Sequence, residues 1–439
     1  MAASSIFLIQ AFVIVAVPVV LLRVSGLKGL LPLVAVQIML GIALGPSFFG
    51  KVAPSYFQMF ASPAALSSLT GLATVAVMIF GLISGLHVDP AIFNGKDRVF
   101  WPVATANVSF PMILGCLAGY WILFLYPEEL LPGASPAVFI AAMGISLSMT
   151  ALPVLAAILG EMNLLSSRIG QLALGVAGVN NITLWILLGI LLTTAAAGRV
   201  GHDHGAAAVY LLISAPVYLL FMVRVVRPTL AKLVTARMQE GEQGVTTRGA
   251  VVVGAATIAS ALATDLMGLH FIIGAFLVGT IMPANLHKPI LDRLQVMTLA
   301  LLMPFFFTLT GMRTLIDLSS PALFQFFSIA IGVGAIGIIG GTAVAARLIG
   351  ERWSFGLGLG SLLQAKGLTE LIVLTVLLDA GIISPRIFAA MVLMAVSSTA
   401  LAMPLARLAL ARSGMQGIVA DPVASSGRDI GAETVLRHG

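Results

Sequence analysis

Thirteen apolar runs, each about as long as a membrane-spanning helix, divide the chain and leave little room for another kind of fold. About 20 mostly apolar residues cross the hydrocarbon core of a bilayer as a helix. Charged residues make up 9% of the 439 residues, where a soluble domain carries roughly a quarter. The predicted fold class is therefore an all-α polytopic membrane protein. The runs cover approximately 5–22, 30–46, 66–87, 99–126, 136–160, 168–196, 207–226, 248–266, 269–286, 296–314, 323–347, 354–379 and 388–410.

The basic residues test this number of spans, because cytoplasmic loops carry an excess of Lys and Arg. Thirteen spans place alternate loops on opposite sides of the membrane. One set of loops, together with the C-terminal tail, holds 18 of the 23 basic residues, the other set holds 4, and Lys366 lies inside the twelfth run. The asymmetry predicts a multi-pass protein of the cell membrane, plasma or inner, with its N-terminus outside and its C-terminus in the cytoplasm.

Several classes of function find no support in the sequence. The single cysteine, Cys116, lies in an apolar run, so neither an internal disulfide nor a thiolate metal cluster is expected. His202 and His204 flank Asp203 in a loop of small residues, which indicates a solvated loop rather than a metal site. No zinc-peptidase pattern or nucleophile elbow is present, and the basic residues are scattered. We expect no enzyme activity, no cofactor, no resident metal and no nucleic-acid partner.

The distribution of polar segments predicts the domain organisation. Residues 1–410 are expected to form one transmembrane domain built from two repeats. The stretch 227–248 is the longest internal polar segment and lies near the middle of the chain, as a linker between two halves of a transporter would. Residues 411–439 are polar and rich in Gly and Ser, so we expect a short disordered cytoplasmic tail.

The fifth run contains an interruption that a lipid-facing helix would not tolerate, since backbone groups released in hydrocarbon must find partners. Ser148 and Thr150 supply hydroxyl groups there, and Pro153 removes one backbone donor and frees a carbonyl one turn earlier. An ordinary proline kink, with the hydroxyls bonded back to the helix, is the alternative interpretation.

A second interruption lies seven spans later, where Lys366, Gly367 and Glu370 put two charges and a glycine at mid-membrane depth. Intramembrane charges cost at least ~2.5 kcal/mol each and usually mark functional sites, although a structural i,i+4 ion pair is the simpler alternative. An offset of seven spans makes the two helices run in opposite directions. Broken helices that meet at the midplane in this way are typical of the binding sites of secondary transporters.

The sixth run carries two adjacent amides, Asn180 and Asn181, in an otherwise apolar segment. Each amide offers a carbonyl oxygen that can ligate a hard cation without adding charge. Hydrogen bonding between helices is an equally good explanation, because Asn commonly provides it in membranes.

Seven stretches, taken together, resemble one known family. They are 41–47 (GIALGPS), 150–156 (TALPVLA), 161–165 (EMNLL), 180–188 (NNITLWILL), 264–265 (TD) followed by GLH at 268–270, 304–307 (PFFF) and 366–371 (KGLTEL). The chain resembles the sodium/hydrogen exchanger superfamily of monovalent cation/proton antiporters over approximately Leu30 to Leu405. It is most similar to the branch that holds the Kef potassium-efflux systems and the plant cation/proton exchangers.

The resemblance implies a homodimer in which each chain has two inverted repeats, a dimerisation domain and a mobile core domain containing two crossed broken helices. Relatives exchange Na⁺ or K⁺ for protons by alternating access. In the family the sixth-span motif ends in an aspartate that binds cation and proton in turn, but here Asn181 stands at that position and an amide does not titrate. Ile338 stands in a segment where many relatives carry lysine. Pro304 is expected to be a structural helix break, as are Pro153 and Gly367.

Three hypotheses follow. The first is an antiporter with an atypical Asn-Asn site, lined by Ser148, Thr150 and Lys366, whose titrating group has moved to Glu370 or, second, to Asp265. The second is a carrier of the same fold that moves another solute without proton coupling. The third is a non-transporting relative that serves as a sensor or binds a partner. Restoring an aspartate at position 181 would separate the first two, and demonstrated flux would exclude the third.

Overall fold

The structure is a computed structural model that describes residues 3–24, 33–87, 97–165, 167–199, 214, 216–235, 247–267, 269–317 and 320–411. Nearly all of these residues are helical, and no strand occurs among them. The α-helices are α1 Ala3–Val24, α2 Leu33–Leu44, α3 Phe49–Val52, α4 Pro54–Phe60, α5 Pro63–Leu86, α6 Phe100–Leu125, α7 Pro136–Leu147, α8 Leu152–Glu161, α9 Arg168–Arg199, α10 Arg227–Thr235, α11 Thr247–Leu266, α12 Phe271–Ile281, α13 Ala284–Met297, α14 Met303–Arg313, α15 Pro321–Gly334, α16 Gly341–Leu348, α17 Trp353–Leu363, α18 Leu368–Asp379 and α19 Pro385–Ala411.

The helices correspond to the predicted spans, so the all-α membrane fold is confirmed. Nine helical segments of the described chain are long and apolar enough to cross a membrane. The fifth and twelfth runs are each broken into two half-helices, α7 with α8 and α17 with α18. The ninth run contains the short apolar helix α12. Of the seventh run, the described part from residue 216 onward is helical.

Some domain predictions fall partly outside the described residues. The tail lies outside them from residue 412 onward, and so does the loop that contains His202 and His204. The predicted linker begins with a helix, α10, whose Leu230 and Val234 are buried in a cluster with residues of α5, α11 and α12. These two apolar residues lie one helical turn apart, which explains why a mostly polar segment packs as a helix. Residues 236–246 of the same stretch are not described.

Pro304 does not break its helix, contrary to the prediction. It is the second residue of α14, which follows directly on a π-helical segment, Thr298–Leu302, that continues α13. Proline has no N–H to donate, and a π-helical turn already displaces the regular backbone hydrogen bonds. The ring is therefore accommodated where the hydrogen-bond pattern is irregular. A second π-helical segment, Ala335–Gly340, joins α15 to α16 and holds the buried Ile338 at its centre.

The helix contacts sort the spans into two bundles. In the first bundle, α2 packs on α14, α5 packs on α12 and α14, and α11 packs on α12, with α1 against α2 and α5. In the second bundle, α6 packs on α7, α9, α15 and α16, while α17 and α15 pack on α19. The first bundle thus holds spans one to three and eight to ten, and the second holds spans four to six and eleven to thirteen. Each bundle takes the same spans from both halves of the chain.

Two glycine pairs bring helices of the first bundle into backbone contact. Gly41 of α2 faces Gly311 of α14, and a Cβ atom on Gly41 would lie 2.2 Å from a carbonyl oxygen of α14. Gly85 of α5 faces Gly279 of α12, and a Cβ atom on Gly85 would lie 2.1 Å from a carbonyl oxygen of α12. Close crossings of this kind replace the hydrophobic effect as the packing force inside lipid. Gly41 lies in span two and Gly279 in span nine, while Gly85 lies in span three and Gly311 in span ten. Each glycine is therefore seven spans away from its counterpart in the other pair, so the two pairs occupy equivalent positions in the inverted halves.

The second bundle is braced by ion pairs at both ends of α6. Near its N-terminus, Arg168 Nε lies 2.8 Å from Asp97 Oδ2, and Arg168 Nη2 lies 2.7 Å from Glu351 Oε1. Beyond its C-terminus, the buried Glu129 pairs with Arg386 at the start of α19. Each brace joins the first half of the chain to the second half. The bundle is therefore tied together across the inverted repeats at both membrane faces.

Candidate ion site at the helix crossing

The two broken spans cross at their interruptions, as the sequence predicted. The backbone N–H of Ala151, between α7 and α8, donates to the carbonyl oxygen of Ala365, between α17 and α18, at 2.9 Å. The Thr150 hydroxyl donates to the carbonyl oxygen of Leu363 at 2.8 Å. Each break thus satisfies backbone groups that the other break releases, which hydrocarbon surroundings demand.

A buried ion pair lies on this crossing. Lys366 Nζ donates to the carbonyl oxygen of Leu147, the last residue of α7, at 2.9 Å, and lies 3.7 Å from Glu370 Oε2. The side chains of Lys366 and Glu370 are 0% and 1% exposed. The ammonium group stands at the negative end of the α7 dipole, and the carboxylate stands in the first turn of α18, at the positive end of that helix. Both half-helices therefore stabilise the charge placed against them.

Among the described residues, Glu370 has no polar partner other than Lys366. Neither of its carboxylate oxygens accepts a hydrogen bond from any described residue. A buried carboxylate usually accepts several hydrogen bonds, because losing its hydration is costly. Its oxygens are therefore available to a further cationic or donating group.

Asn180 is fully engaged in hydrogen bonds. Its Nδ2 donates to Asn107 Oδ1 at 3.0 Å and to the carbonyl oxygen of Ser148 at 2.9 Å. Its Oδ1 accepts from the backbone N–H of Thr150 at 3.2 Å. This pattern needs two N–H donors and one acceptor, so only an amide satisfies it. Asn180 holds the break between α7 and α8 against α9 and α6.

Asn181 has a different role, because it reaches the other bundle. Its Nδ2 donates to Ser84 Oγ of α5 at 2.9 Å. One turn further along α9, the ring of Trp185 stacks on Phe276 of α12, with 5.3 Å between centroids. Asn181 therefore lies on the interface between the two bundles, beside the crossing.

The helix-breaking residues are placed as the breaks require. Gly367 immediately precedes α18, and a Cβ atom there would lie 2.6 Å from Val154 Cγ2 of α8. Pro153 lies in the first turn of α8, where its missing N–H removes no helical hydrogen bond. The interruption precedes the proline, which is the second residue of the second half-helix.

Asp265 is the candidate residue that the structure does not bring to the crossing. It is exposed and lies in the last turn of α11, in the first bundle. No ion pair joins it to another described residue. Because Asp265 is exposed at a helix end, its charge needs no partner to compensate for burial.

Ser84 and Asn107 belong to the site but were not predicted. Asn107 is buried in α6 and contacts Asn180, and its own Nδ2 has no partner among the described residues. Asn180 was singled out as an amide in an apolar run, and Asn107 in the fourth run gives the same signal. Ser84 lies between Ile83 and Gly85 in the apolar helix α5, where a hydroxyl usually bonds to its own helix, so nothing local marks it.

Two cavities lie between the bundles. The larger, about 90 Å³, is lined by α5, α12 and α14 on one side and by α18 on the other. An ion pair spans it, with Arg313 Nη1 of α14 3.1 Å from Asp379 Oδ1 of α18. The smaller, about 20 Å³, is apolar and is lined by α2, α19 and the Lys366 side chain. Among the described residues, no group of three His, Cys, Asp or Glu side chains could hold a metal ion.

Comparison with known proteins decides the family. The model of the transmembrane region of sodium/hydrogen exchangers matches residues 11–407. The chain belongs to the sodium/hydrogen exchanger family. The resemblance drawn from the sequence motifs is thereby confirmed, and the two bundles and the helix crossing are those of an exchanger-family chain.

Individual relatives of this exchanger-family chain are named as cation/proton antiporters. Cation/H⁺ antiporter 17 of Arabidopsis thaliana is 32% identical over 377 residues, which are 85% of this chain and 45% of that protein. Na⁺/H⁺ antiporter NhaS4 of Synechocystis sp. is 31% identical over 400 residues, 88% of this chain and 94% of that protein. K⁺/H⁺ antiporter 1 of Saccharomyces cerevisiae is 29% identical, over 88% of this chain and 44% of that protein. The chain thus spans about half the length of the plant and yeast relatives.

The fold has a solved counterpart. The sodium proton antiporter MjNhaP1 of Methanocaldococcus jannaschii, in a structure at pH 8, aligns with a TM-score of 0.53 and 16% identity. The alignment covers 93% of this chain and 99% of that one. At this identity the match supports the exchanger fold and nothing finer.

Proposed function

We propose that this chain is a secondary transporter that exchanges a monovalent cation, Na⁺ or K⁺, for protons by alternating access. Its coupling group is the Lys366–Glu370 pair, in place of the aspartate that the family resemblance implies at the position of Asn181. We further propose that it acts as a homodimer in the cell membrane, with its N-terminus outside and its C-terminus in the cytoplasm. The distribution of basic residues supports this orientation.

The burial of Glu370 carries the proposal. Proton exchange needs a group for which proton and cation compete, and neither Asn180 nor Asn181 titrates. Among the described residues the buried acids are Glu129 and Glu370. Glu129 is bound by Arg386 at the end of the second bundle, away from the broken helices. Glu370 is the acid that lies at the crossing, where carriers of this architecture bind their ions.

The two-bundle arrangement supports alternating access. The second bundle is braced at both ends and contains the whole crossing, so it can move as one body. Two polar contacts described above join it to the first bundle, namely the Asn181–Ser84 hydrogen bond and the Arg313–Asp379 ion pair. The first is a single hydrogen bond, and the ion pair is solvent-exposed, where such pairs contribute little to stability. Sliding of one bundle along the other would break these two contacts and leave the second bundle intact.

Transport in proteoliposomes tests the function. We expect an imposed Na⁺ or K⁺ gradient to change the internal pH, reported by an entrapped dye, and E370Q to abolish the change. D265N is the matched control and should keep the exchange, because Asp265 is exposed and lies in the other bundle. A wild-type chain that gave no cation-dependent pH change with Na⁺, K⁺ or Li⁺ would contradict the proposal. If E370Q kept the exchange and D265N lost it, the coupling group would be Asp265 of α11 and not Glu370.

A second candidate function is a carrier of the same fold that is uncoupled from protons. The observation that favours it is the neutral amide of Asn181 on the bundle interface, bonded to the neutral Ser84. Such a carrier would move its solute without any change in internal pH. Gain of exchange in N181D from an inactive wild-type chain would identify it.

A further inference from the structure

We propose that the transported monovalent cation binds at the place now held by the Lys366 ammonium group, between the Leu147 carbonyl oxygen and the Glu370 carboxylate. The amides of Asn180 and Asn181 are then supports of the site and not its ligands. This inference rests on the proposed function, because it locates the cation of that function.

The ammonium group marks a ready-made cation site. It carries one positive charge and is held by oxygen atoms, as Na⁺ and K⁺ are. One oxygen is the Leu147 carbonyl, 2.9 Å away at the C-terminal end of α7. The other group is the Glu370 carboxylate, 3.7 Å away, whose oxygens accept no hydrogen bond from the described residues. A free helix C-terminus and a carboxylate together supply the negative potential that a dehydrated cation requires.

Asn180 cannot supply an equivalent site in this arrangement. Asn180 uses its Oδ1 and both N–H donors on protein partners. The Ser148 carbonyl oxygen beside it already accepts one of these bonds. A cation ligated by neutral oxygens alone would leave an uncompensated charge in the membrane, which is costly. The carboxylate at the crossing removes that cost.

Lys366 and an incoming cation exclude each other. The pair carries no net charge, so a second cation beside the ammonium group would leave one buried positive charge without a partner. No other charge compensates it, because α2, α7 and α17 carry no titratable residue, and Arg386 and Arg407 of α19 and Glu161 of α8 lie near helix ends. For the cation to take this position, the Lys366 ammonium group must release its proton, and the cavity of about 20 Å³ beside it is large enough for the neutral terminal amino group.

Cation binding to purified protein tests this location. K366M removes the internal cation with little change of length, and we expect it to bind Na⁺ or K⁺ at least about tenfold more tightly than the wild type, seen as a larger rise in thermal midpoint with salt. The double variant K366M/E370Q should lose this rise, because the carboxylate is gone. K51M, at an exposed lysine of α3, is the control and should behave as the wild type. Choline chloride, at equal ionic strength, should protect none of them.

The outcomes separate this inference from the function on which it rests. If K366M unfolds without salt, recovery of folded protein by Na⁺ or K⁺ but not by choline supports the site. Equal affinity in K366M and K366M/E370Q would overturn it. So would loss of binding in N181A together with retention in K366M/E370Q, even if the wild type exchanges cations for protons. Absence of exchange by the wild type in proteoliposomes would instead contradict the proposed function itself.

Discussion

Asn181 donates a hydrogen bond to Ser84, and that 2.9 Å contact joins the two helix bundles beside the crossing of the broken spans. An aspartate has the same shape as asparagine, and the Ser84 hydroxyl can rotate to donate to a carboxylate. An aspartate at position 181 would therefore fit without a steric clash, but it would add a titratable group to the site.

We predict that N181D makes exchange independent of Glu370. The new carboxylate supplies a group for which proton and cation compete, so N181D/E370Q should exchange cations for protons in proteoliposomes while E370Q alone should not. The pH dependence of the initial rate, compared with that of the wild type, reports the new titrating group. Inactivity of N181D/E370Q with normal folding would show that position 181 lies off the transport path.

Asn180 should tolerate the same change poorly. In N180D a carboxylate oxygen would face the Ser148 carbonyl, and the hydrogen bonds donated to Ser148 and Asn107 would be lost. Leaving buried polar groups unsatisfied costs about 1–3 kcal/mol each. We expect a clear fall in the thermal midpoint of N180D in detergent and a smaller one in N181D. Equal midpoints would contradict the structural role assigned to Asn180.

The glycine crossing of α5 with α12 should be sensitive to a single methyl group. G85A places a Cβ atom 2.1 Å from a backbone oxygen, so the helices must move apart, at a cost of about 1–3 kcal/mol. Gly71 in the same helix has no atom within 4 Å of its Cβ position, so G71A is the matched control and should be neutral or slightly stabilising. Thermal unfolding of the two variants side by side checks the difference.

The Arg313–Asp379 ion pair offers a way to stop bundle motion. In a C116S background, R313C/D379C would carry the only thiols of the chain, one on each bundle, across the larger cavity. A short cleavable bis-thiol cross-linker should arrest exchange, and reduction should restore it, because alternating access requires relative movement. Undiminished exchange in fully cross-linked protein would exclude movement at this interface.

The brace at Asp97 predicts a dependence of stability on pH. A hydrogen bond from Arg168 lowers the pKa of the Asp97 carboxyl group. A lowered pKa in the folded state gives stability that is present above the unfolded pKa of about 3.9 and is lost as pH falls through the folded value. The pair is largely solvent-exposed, so the effect should stay below about 1 kcal/mol. R168Q should therefore flatten the acid limb of the thermal midpoint against pH, and D97N should flatten the same limb while keeping the Arg168–Glu351 pair.

Much of this architecture follows from local sequence. The two interruptions were predictable because proline, glycine and charge cannot sit in a lipid-facing helix without partners. The partners themselves were not predictable, since Ser84 and Asn107 reach the site only through packing of helices far apart in sequence. The prediction that Pro304 breaks its helix was also wrong, because a π-helical segment accommodates a residue without an N–H donor. Asp265 matched a family motif, yet its helix ends at the surface.

The hydrogen bonds at the helix crossing satisfy backbone groups of the site when no ion is bound. The carbonyl oxygens of Leu147, Ser148 and Leu363 lie at the breaks, where a bound ion could satisfy them. Each of them instead accepts a hydrogen bond from the protein. Under the proposed function, the chain would release a cation on either side without leaving these carbonyl groups unpaired in hydrocarbon. In the proposed transport cycle, the empty site would therefore be stable without an ion, and the breaks would not have to refold around the next one.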